Sequence, residues 1–298
     1  MAEYNKIKAI APEEYEKEYF YLLMREYLLN DVWSMKRIKD VITIVRPEPG
    51  DAILDAGCGW GTYAIEAYKR GAQVCGIDYA SEAIQSSIYL ASTVLGTNNI
   101  DFKIASVTKI PYPENTFKKI ICADLIEHIT QEDLKLFLTE ATRVLKLGGY
   151  MCISTPNPVC FDLITRAYNK IIHLLSHKES YKWLRPFLQI GNVALGMVVF
   201  VFKNREIDSL CKQFHAQWLY PIIDSERFKR AREKYSRFHI ELKNPSFVLS
   251  CLRKSGFKIK RIQFTRGTMV FQRMPYPIGM LWGGVYTILA ELTRKNQQ

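Results

Sequence analysis

Three glycines spaced two residues apart follow a short, mostly apolar run. Ile53–Ala56 leads without a linker into Gly57, Gly59 and Gly61. Glycine tolerates positive φ and carries no side chain, so a cofactor can lie against the bare backbone of such a loop. A dinucleotide loop reads G-x-G-x-x-G and places a pyrophosphate on the next helix N-terminus, whereas this loop reads G-x-G-x-G. The spacing therefore predicts a nucleotide pocket of a different kind.

A carboxylate lies at the end of the next predicted strand. The stretch Gln73–Asp78 reads as a buried strand that ends in Asp78. An acid at that place can accept hydrogen bonds from both ribose hydroxyls of an adenosine. A second role, as a cap for the helix that follows, stays open at this point.

Strand and helix patterns alternate through the following residues. We expect helices near 62–71, from about Ser81, and over 131–145, and strands near 100–105, 119–124 and 150–154. This order predicts a doubly wound parallel α/β sheet.

Longer motifs accompany these elements. They include Ile126-Glu127-His128-Ile129, the run Glu140–Gly149, and Ser154-Thr155-Pro156-Asn157. With these motifs, residues 50–157 resemble the methyltransferase domain shared by ubiquinone and menaquinone biosynthesis enzymes, the methyltransferase type 11 group of class I S-adenosylmethionine (SAM) dependent methyltransferases. The resemblance implies a Rossmann-like, doubly wound, mostly parallel seven-stranded sheet whose last strand is antiparallel.

The resemblance also implies which residues bind SAM. They are Asp55, Gly57, Cys58, Gly59, Gly61, Asp78, Tyr79, Ser106, Val107 and Asp124. Asp55 either orients the glycine loop or receives the methionyl ammonium. Ser106 stands where relatives usually carry an aspartate facing the adenine amino group, and Leu147 replaces a common proline. The backbone amide of Val107 can still contact the base, because that contact does not depend on the side chain.

The same resemblance divides the chain into four parts. We expect an N-terminal helical cover over 1–45, the SAM-binding core over 46–157, and a helical, apolar insertion over 158–243 that holds the substrate specificity. Residues 244–298 would add a helix, strands that complete the sheet, and an apolar tail. Asn244-Pro245-Ser246 reads as the start of that helix and Lys258–Phe264 as one of those strands.

Charge is distributed unevenly along the chain. Residues 1–150 hold 17 Lys and Arg against 21 Asp and Glu, a net charge of −4, whereas residues 151–298 hold 24 against 9, a net charge of +15. The densest basic stretch is Arg227–Arg237, where aromatic residues are interleaved. It can face anionic lipid headgroups, a phosphate-bearing substrate or nucleic acid, or form an ordinary solvated helix.

Two apolar segments lie in the same half. Trp183–Phe202 is interrupted by Pro186 and two glycines, and Ile278–Ala290 is short, so neither reads as a transmembrane helix. The first is better read as a lid over an apolar substrate or as an interfacial hairpin. The alternative for both is packing on the sheet or a dimer surface.

The cellular environment is predicted from cysteine usage and the N-terminus. The seven cysteines are scattered singly without C-x-x-C, which indicates neither a zinc site nor a disulfide framework. Met1–Ala9 lacks the apolar run of a secretory signal. We expect a cytoplasmic protein that associates peripherally with membranes.

Methyl transfer from a sulfonium needs alignment of donor and acceptor, and we expect no metal. Where the acceptor must lose a proton, the candidate bases are Glu127, His128 and His239. Each has a structural alternative: Glu127 can pair with a basic residue, His128 can cap a helix or bond a carbonyl, and His239 can be a surface histidine.

The leading functional hypothesis is O- or C-methylation of a hydrophobic or lipid-linked small molecule at a membrane surface. A variant is SAM-dependent modification of lipid acyl chains, because such enzymes also carry a Glu-His pair after the fourth strand. A nucleic-acid methyltransferase would use the basic half to bind phosphates. The absence of an N-P-P-Y-like motif and the long apolar insertion argue against it. The intact glycines and Asp78 argue against a non-catalytic SAM-binding subunit. The sequence does not indicate an oligomeric state.

Overall fold

The computed structural model describes residues 27–28, 32–157, 241–265 and 285–295 of the chain. The helices in these ranges are α1 (Val32–Val45), α2 (Thr62–Tyr68), α3 (Ser81–Leu95), α4 (Gln131–Val144) and α5 (Pro245–Lys254). The strands are β1 (Ala52–Ala56), β2 (Gln73–Asp78), β3 (Asp101–Ile104), β4 (Phe117–Ala123), β5 (Leu145–Pro156), β6 (Phe257–Thr265) and β7 (Val285–Leu292). A short 3₁₀ helix covers Ile126–His128.

The seven strands form one sheet in the order β3-β2-β1-β4-β5-β7-β6. β1 to β5 pair in parallel, and β7 runs antiparallel to both neighbours, β5 and β6. The central strands β1 and β4 are almost wholly buried, as expected for parallel strands covered on both faces. The predicted fold class, with its antiparallel last strand, is confirmed.

Helices cover both faces of the sheet. On one face, α1 contributes Ile38, Val41, Ile42 and Val45 at helical spacing, together with apolar residues of α2 and α3. On the other face, α4 and α5 bury their own apolar stripes. The Thr130 hydroxyl accepts a hydrogen bond from Asp133 N, which fixes where α4 begins.

The main differences from the sequence-based boundaries lie at element ends. α2 ends at Tyr68 instead of Gly71 because the chain turns tightly there, with Gly71 at a φ of 84°. β5 begins at Leu145, five residues before the predicted start, because its early residues continue the pairing with β4. Asn244 caps α5 as predicted, by accepting a hydrogen bond from Ser246 N at 2.9 Å.

The second apolar segment, Ile278–Ala290, overlaps the strand that completes the sheet. Its residues from 285 onward form most of β7, where Tyr286, Ile288 and Ala290 are buried. For residues 285–290, the structure shows packing in the sheet, which was one of the alternatives for this segment. The segment Trp183–Phe202, the basic stretch Arg227–Arg237 and His239 lie outside the described residues. None of the helices within the described ranges is long and apolar enough to cross a membrane.

Candidate cofactor and methyl-transfer site

The crevice for a ligand lies where the strand order reverses. β1 pairs with β2 on one side and with β4 on the other, so the connections that leave these strands diverge. In doubly wound sheets, ligands bind outside the carboxyl ends of the strands at such a point. The glycine loop, Asp78 and Asp124 stand at the ends of β1, β2 and β4.

The backbone N–H groups of the glycine loop already donate hydrogen bonds within the protein. Gly57 N and Cys58 N both donate to Ile77 O at 2.9 Å, and Gly61 N donates to Cys58 O at 2.8 Å. Gly59 N donates to a carboxylate, Asp78 Oδ2, at 3.0 Å. A phosphate-binding loop instead points several N–H groups at its ligand. This loop therefore suits a cofactor that lies over the backbone without a phosphate, as SAM does.

All three glycines have positive φ, of 70°, 52° and 82° in chain order. A Cβ at Gly57 would lie 2.7 Å from Leu125 Cδ1, and one at Gly61 would lie 2.8 Å from Ser87 Cβ and 3.0 Å from Phe102 Cζ, so neither place has room for a side chain. A Cβ at Gly59 would meet no described atom within 4 Å. As far as the described residues show, the space above Gly59 is open to a ligand.

Asp78 keeps hydrogen-bonding capacity toward this space. Oδ2 accepts from Gly59 N and Oδ1 accepts from Ala80 N, each at 3.0 Å. Each carboxylate oxygen has a second acceptor site, so two ribose hydroxyls can still bind. Burial raises the pKa of Asp78 to about 6, although the backbone N–H groups of Ala80, Gly59 and Tyr79 oppose the shift. Asp78 thus bonds the start of the α3 segment and can also bind a ribose.

Asp55 faces the interior. It is 1% exposed, and its Oδ2 accepts a hydrogen bond from Ala64 N at 3.0 Å in the first turn of α2. Burial raises the pKa of Asp55 to about 7; the Ala64 hydrogen bond opposes the shift and the Asp78 charge adds to it. This geometry supports the first of its two predicted roles, orientation of the glycine loop.

The turn after β3 can contact an adenine through its backbone. The Ser106 hydroxyl accepts from Thr108 N at 3.2 Å and shares a hydrogen bond with the Thr108 hydroxyl. Val107 is buried, and none of the described residues accepts a hydrogen bond from its backbone N–H. Ala105 N donates to Asp78 O at 2.8 Å, which ties this turn to the end of β2.

Asp124 forms a polar cluster on the other side of the glycine loop. It has a φ of 57°, unusual for a residue other than glycine, and follows β4 directly. Its carboxylate accepts from the Tyr63 hydroxyl at 3.3 Å and pairs with the Arg37 guanidinium of α1. Arg37 Nε is buried and has no hydrogen-bond acceptor among the described residues. The cluster therefore offers donors and a carboxylate to a zwitterion.

The Glu-His pair occupies the 3₁₀ helix after β4, and its two side chains differ in exposure. Glu127 is 1% exposed, and its Oε2 accepts from the Thr155 hydroxyl at 2.7 Å at the end of β5. Its carbonyl accepts from Glu241 N at 3.2 Å. His128 is half-buried, and its backbone N–H donates to Leu125 O. Of this pair, only His128 is partly exposed.

These observations fit an adenosine joined to an amino acid. Asp78 and Val107 can hold the ribose and the base, Gly59 leaves the middle open, and Arg37 with Asp124 carries charges complementary to a methionyl zwitterion.

The methyltransferase domain family matches residues 47–218. The chain belongs to this family. It carries a class I SAM-dependent methyltransferase domain, and SAM is its cofactor.

Relatives of this methyltransferase chain share only part of its length. It is 34% identical over 111 residues to an uncharacterized methyltransferase of Schizosaccharomyces pombe, covering 34% of this chain and 38% of that protein. It is 30% identical over 145 residues to the ubiquinone biosynthesis O-methyltransferase of Albidiferax ferrireducens, covering 47% of this chain and 56% of that protein. The chain therefore spans well under two thirds of the length of these two relatives.

A crystal structure of a SAM-dependent methyltransferase from Aquifex aeolicus shares the fold. The TM-score is 0.51 at 15% identity, and the alignment covers 93% of this chain and 99% of that chain.

Sequence reasoning about this methyltransferase missed Arg37, Tyr63 and Thr155. Arg37 carried no signal because the N-terminal helical cover was predicted from the resemblance, which assigned no role to its individual residues. Tyr63 follows the glycine loop and Thr155 lies within a quoted motif, but their hydrogen-bond partners are distant in sequence.

Proposed function

We propose that the protein transfers the methyl group of SAM to an oxygen or carbon atom of a hydrophobic or lipid-linked small molecule at a membrane surface. The observation that carries this proposal is the similarity to the ubiquinone biosynthesis O-methyltransferase over about half of the chain. The apolar segment Trp183–Phe202 and the basic excess of residues 151–298 support an apolar substrate close to an anionic surface.

The strand order determines the direction in which the bound cofactor would extend along the edge of the sheet. If the ribose binds Asp78 at the end of β2 and the base binds Val107 after β3, the methionyl arm must extend the other way, across β1 toward β4. There Asp124 would receive its ammonium and Arg37 its carboxylate, so the ion pair between these residues would open to admit both groups.

The protein residues position the reactants and move a proton. When bound, SAM supplies an electrophilic methyl group for in-line displacement. His128 is the base that we propose for an acceptor that must be deprotonated, since its side chain is partly exposed. Glu127 holds the 3₁₀ helix through Thr155 and so positions His128. Arg37 and the glycine loop would hold the donor in place.

Methyl transfer can be tested with SAM labelled in its methyl group. The purified protein is incubated with membrane lipid extract or with total RNA, and the Asp78→Ala variant is the control. We expect label in the organic phase, with a gain of one methylene unit on a lipid or quinone. Label found only in RNA would contradict the proposal and favour the nucleic-acid hypothesis. A methylene gain located in the acyl chains would favour the acyl-modification variant.

A further inference from the structure

Among the described residues, the edge strand β3 is paired on one side only. β3 lies at the end of the sheet, and within the described ranges it pairs only with β2. An unpaired edge presents N–H and C=O groups that can pair with a strand of another chain. Proteins usually protect such edges, so the side chains around this one decide what can bind there.

Large apolar side chains cluster beside this edge. Ile104 of β3 is 61% exposed, and Ile88 and Tyr89 of α3 are 42% and 62% exposed. A groove of about 370 Å³ lies between α3 and β3. Its lining residues are Ile88, Ala91, Asn98, Asn99, Ile100, Asp101 and Phe102. An exposed apolar patch of this kind, rimmed by polar residues, is typical of an interaction surface.

We propose that a second copy of this chain binds here, with the two β3 strands antiparallel about a two-fold axis at Phe102. In that register, Asp101 lies opposite Lys103 of the other copy, and Ile104 lies opposite Ile100, which immediately precedes β3 and is 5% exposed. Directly opposite residues of antiparallel strands have Cβ atoms about 5 Å apart and project to the same face. Charge therefore meets opposite charge, and apolar side chains meet apolar side chains.

The register is selected by the sequence of the edge itself. Within one chain, Asp101 and Lys103 already pair at 2.7 Å and both contact Tyr112, and in the dimer each would gain a partner of opposite charge from the other copy. A shift by one residue would set Lys103 opposite Phe102 and lose both the charge and the apolar matches. The edge is thus self-complementary, which a two-fold interface requires.

The proposed axis lies close to the cofactor loop. The Phe102 ring lies under the loop, with Cζ 3.0 Å from where a Cβ would stand at Gly61. A partner packed against Phe102 would therefore support the glycine loop from below. The proposal concerns assembly and does not depend on the substrate.

The test measures molar mass in solution by light scattering and sedimentation over a range of concentrations. The full chain should form a dimer, and Ile104→Lys should weaken the dimer by about tenfold or more, because each interface would bury two lysines against apolar side chains. Leu136→Lys is the matched control, since Leu136 is 53% exposed on α4 and lies away from the edge. Binding of S-adenosylhomocysteine to each variant verifies its fold.

A charge exchange tests the register. Asp101→Lys should produce monomers, because lysine would face Lys103 twice, and the double variant Asp101→Lys, Lys103→Asp should restore the dimer. A monomeric parent protein at all concentrations would overturn the proposal, as would a dimer that survives Ile104→Lys or a double variant that remains monomeric while binding S-adenosylhomocysteine.

Discussion

The ionisation of Asp78 controls the hydrogen bonds that this pocket can give to a ribose. An ionised carboxylate accepts two hydroxyl hydrogens in addition to the N–H groups of Gly59 and Ala80, whereas a protonated one loses acceptor capacity. Burial raises its pKa to about 6, so the ionised form is depleted as the pH falls through that value.

We expect Asp78→Ala to weaken SAM binding by about 1–3 kcal/mol, because the ribose hydroxyls lose a charged acceptor. In the parent protein, affinity should fall about tenfold for each pH unit below about 6. Calorimetry over pH measures both effects. Asp78→Asn should show little pH dependence, and Glu82→Gln on the next helix should behave like the parent. An unchanged affinity in Asp78→Ala would contradict the assignment.

Arg37 should matter for the amino-acid end of the cofactor alone. Arg37→Met should weaken binding of S-adenosylhomocysteine by about 10- to 100-fold, the worth of a charge-assisted hydrogen-bond pair. It should leave 5′-methylthioadenosine, which lacks the amino acid, nearly unaffected. Lys36→Met, which removes a partly buried helix ion pair with Asp40, is the matched control. Equal losses for both ligands would show that Arg37 only holds α1 in place.

A variant of His128 distinguishes base catalysis by this residue from a purely structural role. If the acceptor is deprotonated in the transition state, His128→Ala should lower turnover by about 10² to 10⁴ while SAM binding is kept. A structural His128 would instead lower the melting temperature and leave the rate per folded molecule nearly intact. Turnover, affinity and melting temperature are measured on the same protein. Full activity in a stable variant would leave Glu127 or His239 as the base.

At the scale of elements, α4 holds the long loop after β3. Arg143 donates to the carbonyls of Ile110 and Tyr112 at 2.8 Å, and Glu140 accepts from Ile110 N at 2.7 Å. The Arg143 guanidinium lowers the pKa of Glu140 and pairs with it through two hydrogen bonds. This clamp fixes the loop that begins with Ser106 and Val107.

We expect Arg143→Met to destabilise the fold by about 2–3 kcal/mol, since it leaves two carbonyls without their side-chain donor and removes the cation that pairs with Glu140. The melting temperature should fall by several degrees, and SAM affinity should fall with it because the adenine turn loosens. Lys260→Met, which removes an exposed ion pair with Glu291, should change the melting temperature little. Differential scanning calorimetry makes the comparison, and equal melting temperatures in the two variants would refute the clamp.

At the scale of the whole molecule, the charge asymmetry predicts where the protein docks. The net charge of +15 in residues 151–298 should attract it to anionic lipid. It should float with anionic liposomes at low salt, dissociate as salt screens the attraction, and bind neutral liposomes far less.

Replacing Lys229 and Arg230 of the basic stretch by Gln should weaken this binding by about 2 kcal/mol. The same change at Lys146 and Lys260 is the control for total charge. Tight, salt-sensitive binding to RNA together with no binding to anionic vesicles would favour the nucleic-acid hypothesis.

Residue types and their order along the chain determined much of the fold and the place of the cofactor pocket. The capping residues Thr130 and Asn244 are readable because each acts on residues close to it in sequence. The glycine loop and the acid at the end of β2 are readable from their residue types and spacing. Parallel strands also place their carboxyl ends at one edge, so the position of the cofactor pocket followed from the order of elements.

Only the tertiary structure decided the contacts between distant segments. Arg37 meets Asp124, Glu127 meets Thr155, and residues 285–292 insert between β5 and β6. None of these follows from periodicity, because each depends on which elements become neighbours after packing. The apolar composition of the last strand left packing on the sheet and a dimer surface open, and the pairing of this strand with β5 on one side and β6 on the other decided for the sheet.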